Sequence, residues 1–138
     1  IIFSSGRSRV NNCGKRVLDQ AYERAMANGD YDVVLIGHID ERESRLRLPR
    51  SAKPIDQQRG LNAASVLTAG EQPCKNLEPS RIKVVYAGTT QNSEFKSLLC
   101  QTSTNERATD RIRQNDANAK NRRVEVWLVP RPGKGRQP

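Results

Sequence analysis

The sequence VVLIGHID, from Val33 to Asp40, has the strongest strand pattern in the chain. Its four leading residues are apolar and three of them are β-branched, which is typical of a short strand that is buried on both faces. Gly37 ends the apolar run, and Asp40 follows soon after it. An apolar strand that delivers a carboxylate at its C-terminal end commonly presents a ligand-binding group in α/β folds. Asp40 is therefore a candidate site residue.

Strand and helix patterns alternate on both sides of this stretch. The predicted strands cover residues 1–4, 33–37, 81–88 and 124–128, and the predicted helices cover residues 14–28 and 56–70. Asn11 or Asn12 is the expected cap of the first helix, and Asp56 that of the second. The order βαβα-β-(α)-β favours a two-layer α/β (α+β) sandwich, in which helices cover one face of a four-stranded mixed sheet.

The remaining segments are polar or irregular. Residues 41–54 are charged and contain two prolines, which predicts a long exposed loop. A short helix is predicted at 93–100, and 104–120 has at best the pattern of a surface helix. Residues 1–129 are expected to form a single domain. The Pro-, Gly- and Arg-rich residues 130–138 are expected to be a disordered basic tail.

Composition narrows the classes of function. A net charge of +9 indicates anionic surroundings. Aromatic residues make up only 4% of the chain, and none is interleaved with a basic run, which argues against stacking on nucleic-acid bases. The sequence shows no nucleophile beside a base, no metal-ligand set and no paired carboxylates. We therefore expect no enzyme activity, no cofactor and no metal site.

No apolar run is long enough to span a membrane. The sequence starts abruptly at Ile1-Ile2-Phe3, with no pattern of a signal peptide. We expect that any signal or anchor lies outside this sequence, and that the protein meets a membrane only through such a segment.

Four pieces of the chain, in this order, resemble the OmpA C-terminal-like family. They are GHIDER at 37–42, IDQQRG at 55–60, RI at 81–82 followed by Gly88, and NRRVEV at 121–126. The family includes the peptidoglycan-associated lipoprotein, stator proteins of flagellar motors and the tails of outer-membrane porins. The resemblance implies a periplasmic domain, tethered to the outer or inner membrane, that binds peptidoglycan non-covalently through the diaminopimelate of the stem peptide.

The resemblance also implies which residues bind. Diaminopimelate ends in an ammonium and a carboxylate, so its site needs an anion and a cation. Asp40 would accept from the ammonium, and Arg59 would hold the carboxylate in a bidentate manner, aided by nearby helix amides. Arg122 would add positive potential or brace Asp40. In the alternative interpretation, Asp40 and Arg59 form a structural ion pair without a ligand.

The sequence departs from the family pattern at several positions. Ala52 stands where the family has an Asn that touches the ligand, Ile39 replaces a Thr, and Gly60 replaces an Ala. Arg59 lies 19 positions after Asp40, a few more than in the pattern. These departures predict weaker peptidoglycan binding. They leave open a protein-docking module of an envelope machine, which would use the basic loop or the segment around Cys100.

The remaining polar and aromatic candidates have structural interpretations. We expect His38 to be a packed, hydrogen-bonded histidine, Asn121 to be a turn or cap residue before the last strand, and Trp127 to be partial core.

Three cysteines, Cys13, Cys74 and Cys100, are too widely spaced for a zinc site. From the residues alone, one disulfide with a spare thiol and three buried thiols are both possible. The periplasmic setting that the resemblance implies favours a disulfide. Pairing of Cys74 with Cys100 and pairing of Cys13 with Cys100 both remain open.

Overall fold

The computed structural model describes residues 1–27, 29, 31–70, 76–89 and 118–131. Within them, the helices and strands are α1 (Asn12–Ala27), β1 (Tyr31–His38), α2 (Ile55–Ala69), β2 (Ile82–Gly88) and β3 (Val124–Pro130). Short 3-10 turns cover Glu43–Arg45, Pro79–Arg81 and Ala119–Asn121. The α+β class that the sequence predicts is consistent with this architecture.

β1, which carries the apolar run that begins at Val33, is the central strand of the sheet. The strand order is β2-β1-β3. β1 pairs in parallel with β2, where Val33 lies opposite Ile82, and antiparallel with β3, where Gly37 lies opposite Val124. Val33 and Leu35 are fully buried. Val34 and Ile36, which alternate with them and lie on the opposite face, are only partly buried, so the prediction of a strand buried on both faces is wrong for that face.

The expectation of four strands is not confirmed, because the described residues form three. In place of a first strand, Ile2 makes a single antiparallel bridge with Arg123. The Phe3 amide donates to the Arg122 carbonyl over 2.8 Å, and the chain then turns at Gly6, whose φ is +71°. Residues 1–7, called here the N-terminal strap, therefore leave the sheet after one bridge.

The cap of α1 agrees with the sequence. The side-chain Oδ1 of Asn11 accepts a hydrogen bond from the Gly14 amide over 2.7 Å, in the position that an N-cap side chain occupies. α1 then buries an apolar stripe of Leu18, Tyr22 and Ala25 against the sheet.

The predicted cap of α2 is wrong. α2 begins at Ile55, one residue earlier than expected, and Pro54 occupies the cap position. The carboxylate of Asp56 instead accepts from the Gln57 amide over 2.9 Å and from the Gly88 amide over 3.1 Å. Asp56 therefore ties the first turn of α2 to the end of β2.

Two glycines allow α2 to lie directly on the sheet. A Cβ placed on Gly37 would lie 2.1 Å from the backbone oxygen of Asp56, and one placed on Gly60 would lie 2.6 Å from Cγ1 of Val84. The first clash involves backbone, which cannot rotate away. The close approach also explains why position 60 departs from the Ala of the family pattern, and it brings the first turn of α2 next to the end of β1.

The core lies between the helices and one face of the sheet. A small cluster pairs Ile2 with Ala119. The main cluster includes residues of both helices, β1, β3 and the N-terminal strap. Its buried members are Phe3, Val10, Leu18, Tyr22, Ala25, Val33, Leu35, Ala63, Leu67, Leu77 and Val124.

Several sequence predictions lie outside the described residues. They are the helix at 93–100, residues 104–117 of the surface helix and residues 132–138 of the tail. Within the part of the chain that the structure describes, neither helix combines the length and the apolar content that a membrane crossing requires.

The contact at Gly37 gives a direct stability test. We expect Gly37→Ala to lower the free energy of unfolding by about 2 kcal/mol or more, because the added methyl group forces the α2 backbone away from β1. Urea unfolding followed by circular dichroism measures this loss. Gly29→Ala is the matched control, since a Cβ at Gly29 meets no atom within 4 Å. Equal losses for the two variants would contradict the packing argument.

Candidate functional site

Four charged side chains of both signs are sealed from solvent at the C-terminal end of β1. The exposed fractions are 4% for Asp40, 3% for Glu43, 0% for Arg59 and 3% for Arg122. Removing a charge from water is costly unless an opposite charge and further hydrogen bonds compensate for it. We call these four residues the buried charge quartet. Their formal charges add up to zero.

Asp40 and Glu43 hold each other through reciprocal backbone bonds. The Glu43 amide donates to Oδ1 of Asp40 over 2.7 Å, and the Asp40 amide donates to Oε1 of Glu43 over 3.1 Å. These reciprocal bonds have the pattern of a capping box, and they close the turn that leads from Asp40 into the 3-10 turn Glu43–Arg45. The pattern turns the Glu43 side chain inward, under the end of β1.

Arg59 reaches the same place from the first turns of α2. It binds Glu43 in a bidentate manner, with Nη1–Oε1 at 2.7 Å and Nη2–Oε2 at 2.5 Å. Its other donors go to backbone carbonyls: Nε to Arg7 at 2.9 Å, Nη1 to His38 at 3.0 Å and Nη2 to Ser4 at 3.4 Å. A guanidinium has five N–H donors, and all five have an acceptor here.

The carboxylate of Glu43 is equally saturated. Oε1 accepts from Arg59 and from the Asp40 amide, while Oε2 accepts from Arg59 and from the Gly6 amide over 2.7 Å. Each oxygen thus receives two hydrogen bonds, which is the usual capacity of a carboxylate oxygen. The Arg59–Glu43 pair is complete without any further group.

Arg122 compensates the remaining acid and fastens the N-terminal strap. Its Nη1 lies 3.1 Å from Oδ2 of Asp40, and its Nε donates to the Phe3 carbonyl over 2.8 Å. The Phe3 ring lies beneath Arg59, with the guanidinium carbon 5.0 Å from the ring centroid. Such a position over the ring face is favourable for a cation. The strap therefore departs from strand geometry because its backbone serves the two arginines.

The structure brings the three sequence-predicted site residues into one cluster. Asp40 and Arg122 form an ion pair, as the bracing role for Arg122 requires. Arg59 lies in the same cluster, but its carboxylate partner is Glu43. The alternative interpretation of a structural ion pair between Asp40 and Arg59 therefore has the wrong partners, since each forms its buried pair with another residue of the quartet.

Glu43 is the member of the site that sequence reasoning missed. It lies in the charged loop 41–54, whose composition gives no reason to single out one acidic residue. One local signal was present: an acid three positions after Asp40 has the spacing of a capping box. That signal predicts the turn, but it does not reveal that the carboxylate meets Arg59, 16 positions further along the chain.

A second cluster surrounds His38 on the other side of the strand end. His38 is 1% exposed, and its Nε2 lies 2.7 Å from Oε2 of Glu125. Arg123 binds the same oxygen through Nε at 3.0 Å and Nη2 at 2.8 Å. Burial and the positive charge of Arg123 lower the pKa of His38, so the imidazole is neutral at neutral pH. His38 is thus packed, as expected.

Glu125 stays ionised in this cluster. Burial by itself would raise the pKa of Glu125, but hydrogen bonds and positive charge from Arg123 outweigh it and hold the pKa below its usual value. Trp127 donates its indole N–H to Oε1 of Glu125 over 3.1 Å. Trp127 is exposed and is not among the residues that pack on the core, so the expectation that it is partial core is wrong. Asn121 lies in the 3-10 turn before β3, in agreement with its predicted turn role.

The His38 cluster predicts a pH dependence of stability. Because the folded-state pKa of His38 is below its ordinary 6.5, the unfolded chain binds a proton before the folded chain does as the pH falls. The free energy of unfolding should therefore decrease below pH 6.5, by at most about 1.4 kcal/mol per pH unit for one proton. Glu125 contributes only below its ordinary pKa of 4.5.

Urea unfolding at a series of pH values between 7.5 and 5.0 tests this dependence, with His38→Gln as the comparison. We expect the slope below pH 6.5 to be smaller in His38→Gln than in the unmodified chain. Parallel curves for the two proteins would show that another group is responsible.

Comparison with known proteins supports the fold. No protein-family model matches the chain, and no curated protein matches it. Among solved structures, it is similar to the crystal structure of a MotB-like protein from Desulfovibrio vulgaris, at 18% sequence identity and with a TM-score of 0.58. The match covers 95% of this chain and 71% of the other. At this identity the likeness establishes the fold alone.

Proposed function

We propose that this chain is a non-enzymatic domain that anchors an envelope protein to the cell wall by binding peptidoglycan. The ligand is the diaminopimelate of the stem peptide. Asp40 takes the ammonium, Arg59 takes the carboxylate, and Arg122 supports Asp40. The domain works in the periplasm, and a part of the protein outside this sequence tethers it to a membrane. It needs no cofactor.

The observation that carries this proposal is the charge pattern of the buried quartet. Arg59 already holds a carboxylate in a bidentate manner, and Asp40 already holds a cation, at the adjoining ends of β1 and α2. A zwitterion offers the same two groups, one carboxylate and one cation. The quartet therefore has the two fixed charges that recognition of diaminopimelate requires.

Access to these charges is the main physical obstacle. Arg59 has no unused donor, and neither residue of the Arg59–Glu43 pair is exposed. A ligand carboxylate has to take over the hydrogen bonds that Glu43 makes. The proposal therefore implies weak binding by the unmodified chain, in agreement with the departures of the sequence from the family pattern.

Sedimentation with purified Gram-negative sacculi tests the proposal. We expect the unmodified domain to cosediment in a saturable manner, and Asp40→Asn to bind at least about tenfold more weakly, because the variant loses a charge-assisted hydrogen bond to the ammonium. Glu41→Gln removes one negative charge from an exposed neighbour and should bind normally. Thermal melting must confirm that each variant is folded.

The outcome distinguishes a ligand-binding role of the buried charge quartet from a purely structural one. Saturable binding that Asp40→Asn weakens and Glu41→Gln leaves intact supports a ligand role for Asp40. If the folded domain and both variants remain in the supernatant, the quartet is purely structural and peptidoglycan binding is contradicted.

A second candidate function is supported by the loop 41–54. Leu46 and Leu48 are 49% and 41% exposed, and they alternate with the arginines of the run Arg45–Arg50. Exposed leucines between arginines suit a protein partner that has an apolar pocket with an acidic rim. The chain would then be a docking module of an envelope machine, with the quartet holding the base of the loop.

Removal of the two leucines tests this second function. We expect the double variant Leu46→Ser, Leu48→Ser to lose a partner that the unmodified domain retains from a periplasmic extract, while its sedimentation with sacculi stays the same. Met26→Ser is the control, because Met26 is equally exposed but lies on α1. Retention of the same partner by the leucine variant would contradict docking through the loop.

A further inference from the structure

We infer that Glu43 is a built-in occupant of the ligand site, and that residue 43 sets the affinity of this domain for external carboxylates. In the conformation that the structure shows, called here the closed state, the Glu43 carboxylate holds the position on Arg59 that a ligand carboxylate would take. The inference rests on the proposed function for the identity of the ligand. The occupancy itself rests on contacts within the chain.

Because every N–H donor of Arg59 already has an acceptor, a ligand carboxylate cannot bind Arg59 while Glu43 does. All five N–H donors of its guanidinium have acceptors, and two of them are directed at Glu43. The three others bind the backbone carbonyls of Ser4, Arg7 and His38, which the chain cannot easily withdraw. The carboxylate of Glu43 is thus the one replaceable acceptor among these partners.

The position of Glu43 in the chain makes its withdrawal feasible. Among residues 41–54 of the loop, Glu43 is the only buried residue, and its neighbours Arg42 and Ser44 are both exposed. The 3-10 turn that carries it is three residues long. Release of Glu43 therefore requires a change in an exposed loop, whereas release of Arg59 would disturb α2 and the core.

Three hydrogen bonds that do not involve Arg59 also hold Glu43 in the closed state. The amides of Asp40 and Gly6 donate to the two oxygens of Glu43, and the Glu43 amide donates back to Asp40. A ligand carboxylate can accept from the same two amides, but it cannot reproduce the bond from the Glu43 amide. In addition, Glu43 is attached to the chain and pays no entropy of association, which a free ligand must pay.

If Glu43 competes with a ligand carboxylate for Arg59, replacing Glu43 has a predictable effect on stability. Shortening Glu43 to Ala leaves the Arg59 guanidinium buried with two unpaired donors and with space where the carboxylate was. A buried unpaired charge destabilises the fold, so Glu43→Ala should melt at a lower temperature than the unmodified chain. Any carboxylate that fills the space should raise the melting temperature again, because it binds the folded state.

The experiment measures this rescue by thermal melting of the whole chain. Glu43→Ala, the unmodified chain and Glu41→Ala are melted with increasing sodium acetate, glycine or meso-diaminopimelate, and with sodium chloride at matched ionic strength. We expect meso-diaminopimelate to raise the melting temperature of Glu43→Ala by several degrees. The unmodified chain, in which Glu43 fills this position, should shift much less than Glu43→Ala, and Glu41→Ala should behave like the unmodified chain.

Sedimentation with sacculi provides the second readout. Glu43→Ala should bind sacculi at least tenfold more tightly than the unmodified chain, because the ligand no longer competes with an internal carboxylate. If Glu43→Ala does not fold, Glu43→Asp replaces it. A carboxylate that is one methylene shorter cannot keep both bonds to Arg59 in place, so Glu43→Asp should show a smaller rescue and a smaller gain in binding.

Failure of the inference differs from failure of the proposed function. If no carboxylate rescues Glu43→Ala or Glu43→Asp, or if the unmodified chain and these variants all bind sacculi with the same measurable affinity, Glu43 is not an occupant and the inference is overturned. If acetate rescues as well as meso-diaminopimelate and no variant binds sacculi, the inference stands, and diaminopimelate recognition is contradicted.

Discussion

The buried bidentate ion pair between Arg59 and Glu43 is the interaction on which one end of this molecule depends. It joins a loop to a helix, and its remaining donors and acceptors bind the backbone of the N-terminal strap and of β1. Loss of either partner would leave a charge buried without compensation, which typically costs about 3–5 kcal/mol. The pair therefore constrains the loop, the strap and the first turns of α2 at once.

Close packing of backbone makes this arrangement possible. Gly37 and Gly60 have no side chains, so the first turns of α2 lie directly against the sheet, and Asp56 fastens them to Gly88. At this distance Arg59 reaches past the end of β1, where Asp40 and Arg122 form the second buried pair. Both pairs are internally neutral, so the excess positive charge of the molecule comes from other residues, among them the exposed arginines of the loop 41–54.

Much of the fold and part of the site could be predicted from local patterns. The apolar run at Val33 marks the central strand, and helical spacing marks both helices, because burial of one face leaves a period in the sequence. Asp40 was a candidate because it follows an apolar strand, and Arg59 and Arg122 were added by the resemblance to the OmpA C-terminal-like family. The first strand was not predicted correctly. Its apolar residues are those of a strand, but its carbonyls bind arginines that are distant in sequence, and no local pattern records that.

The order of both helices and of β1 to β3 follows from the sequence alone, because each of these elements leaves a pattern among neighbouring residues. Arg59 and Arg122 became site candidates through the resemblance to the OmpA C-terminal-like family. Only the tertiary structure decided how the charges pair. Glu43 is an ordinary loop acid until Arg59 is placed 2.7 Å from it. Pairing inside a protein depends on which groups are removed from water together. That is settled by the packing of α2 on the sheet, so only the structure reveals that Arg59 already holds a carboxylate.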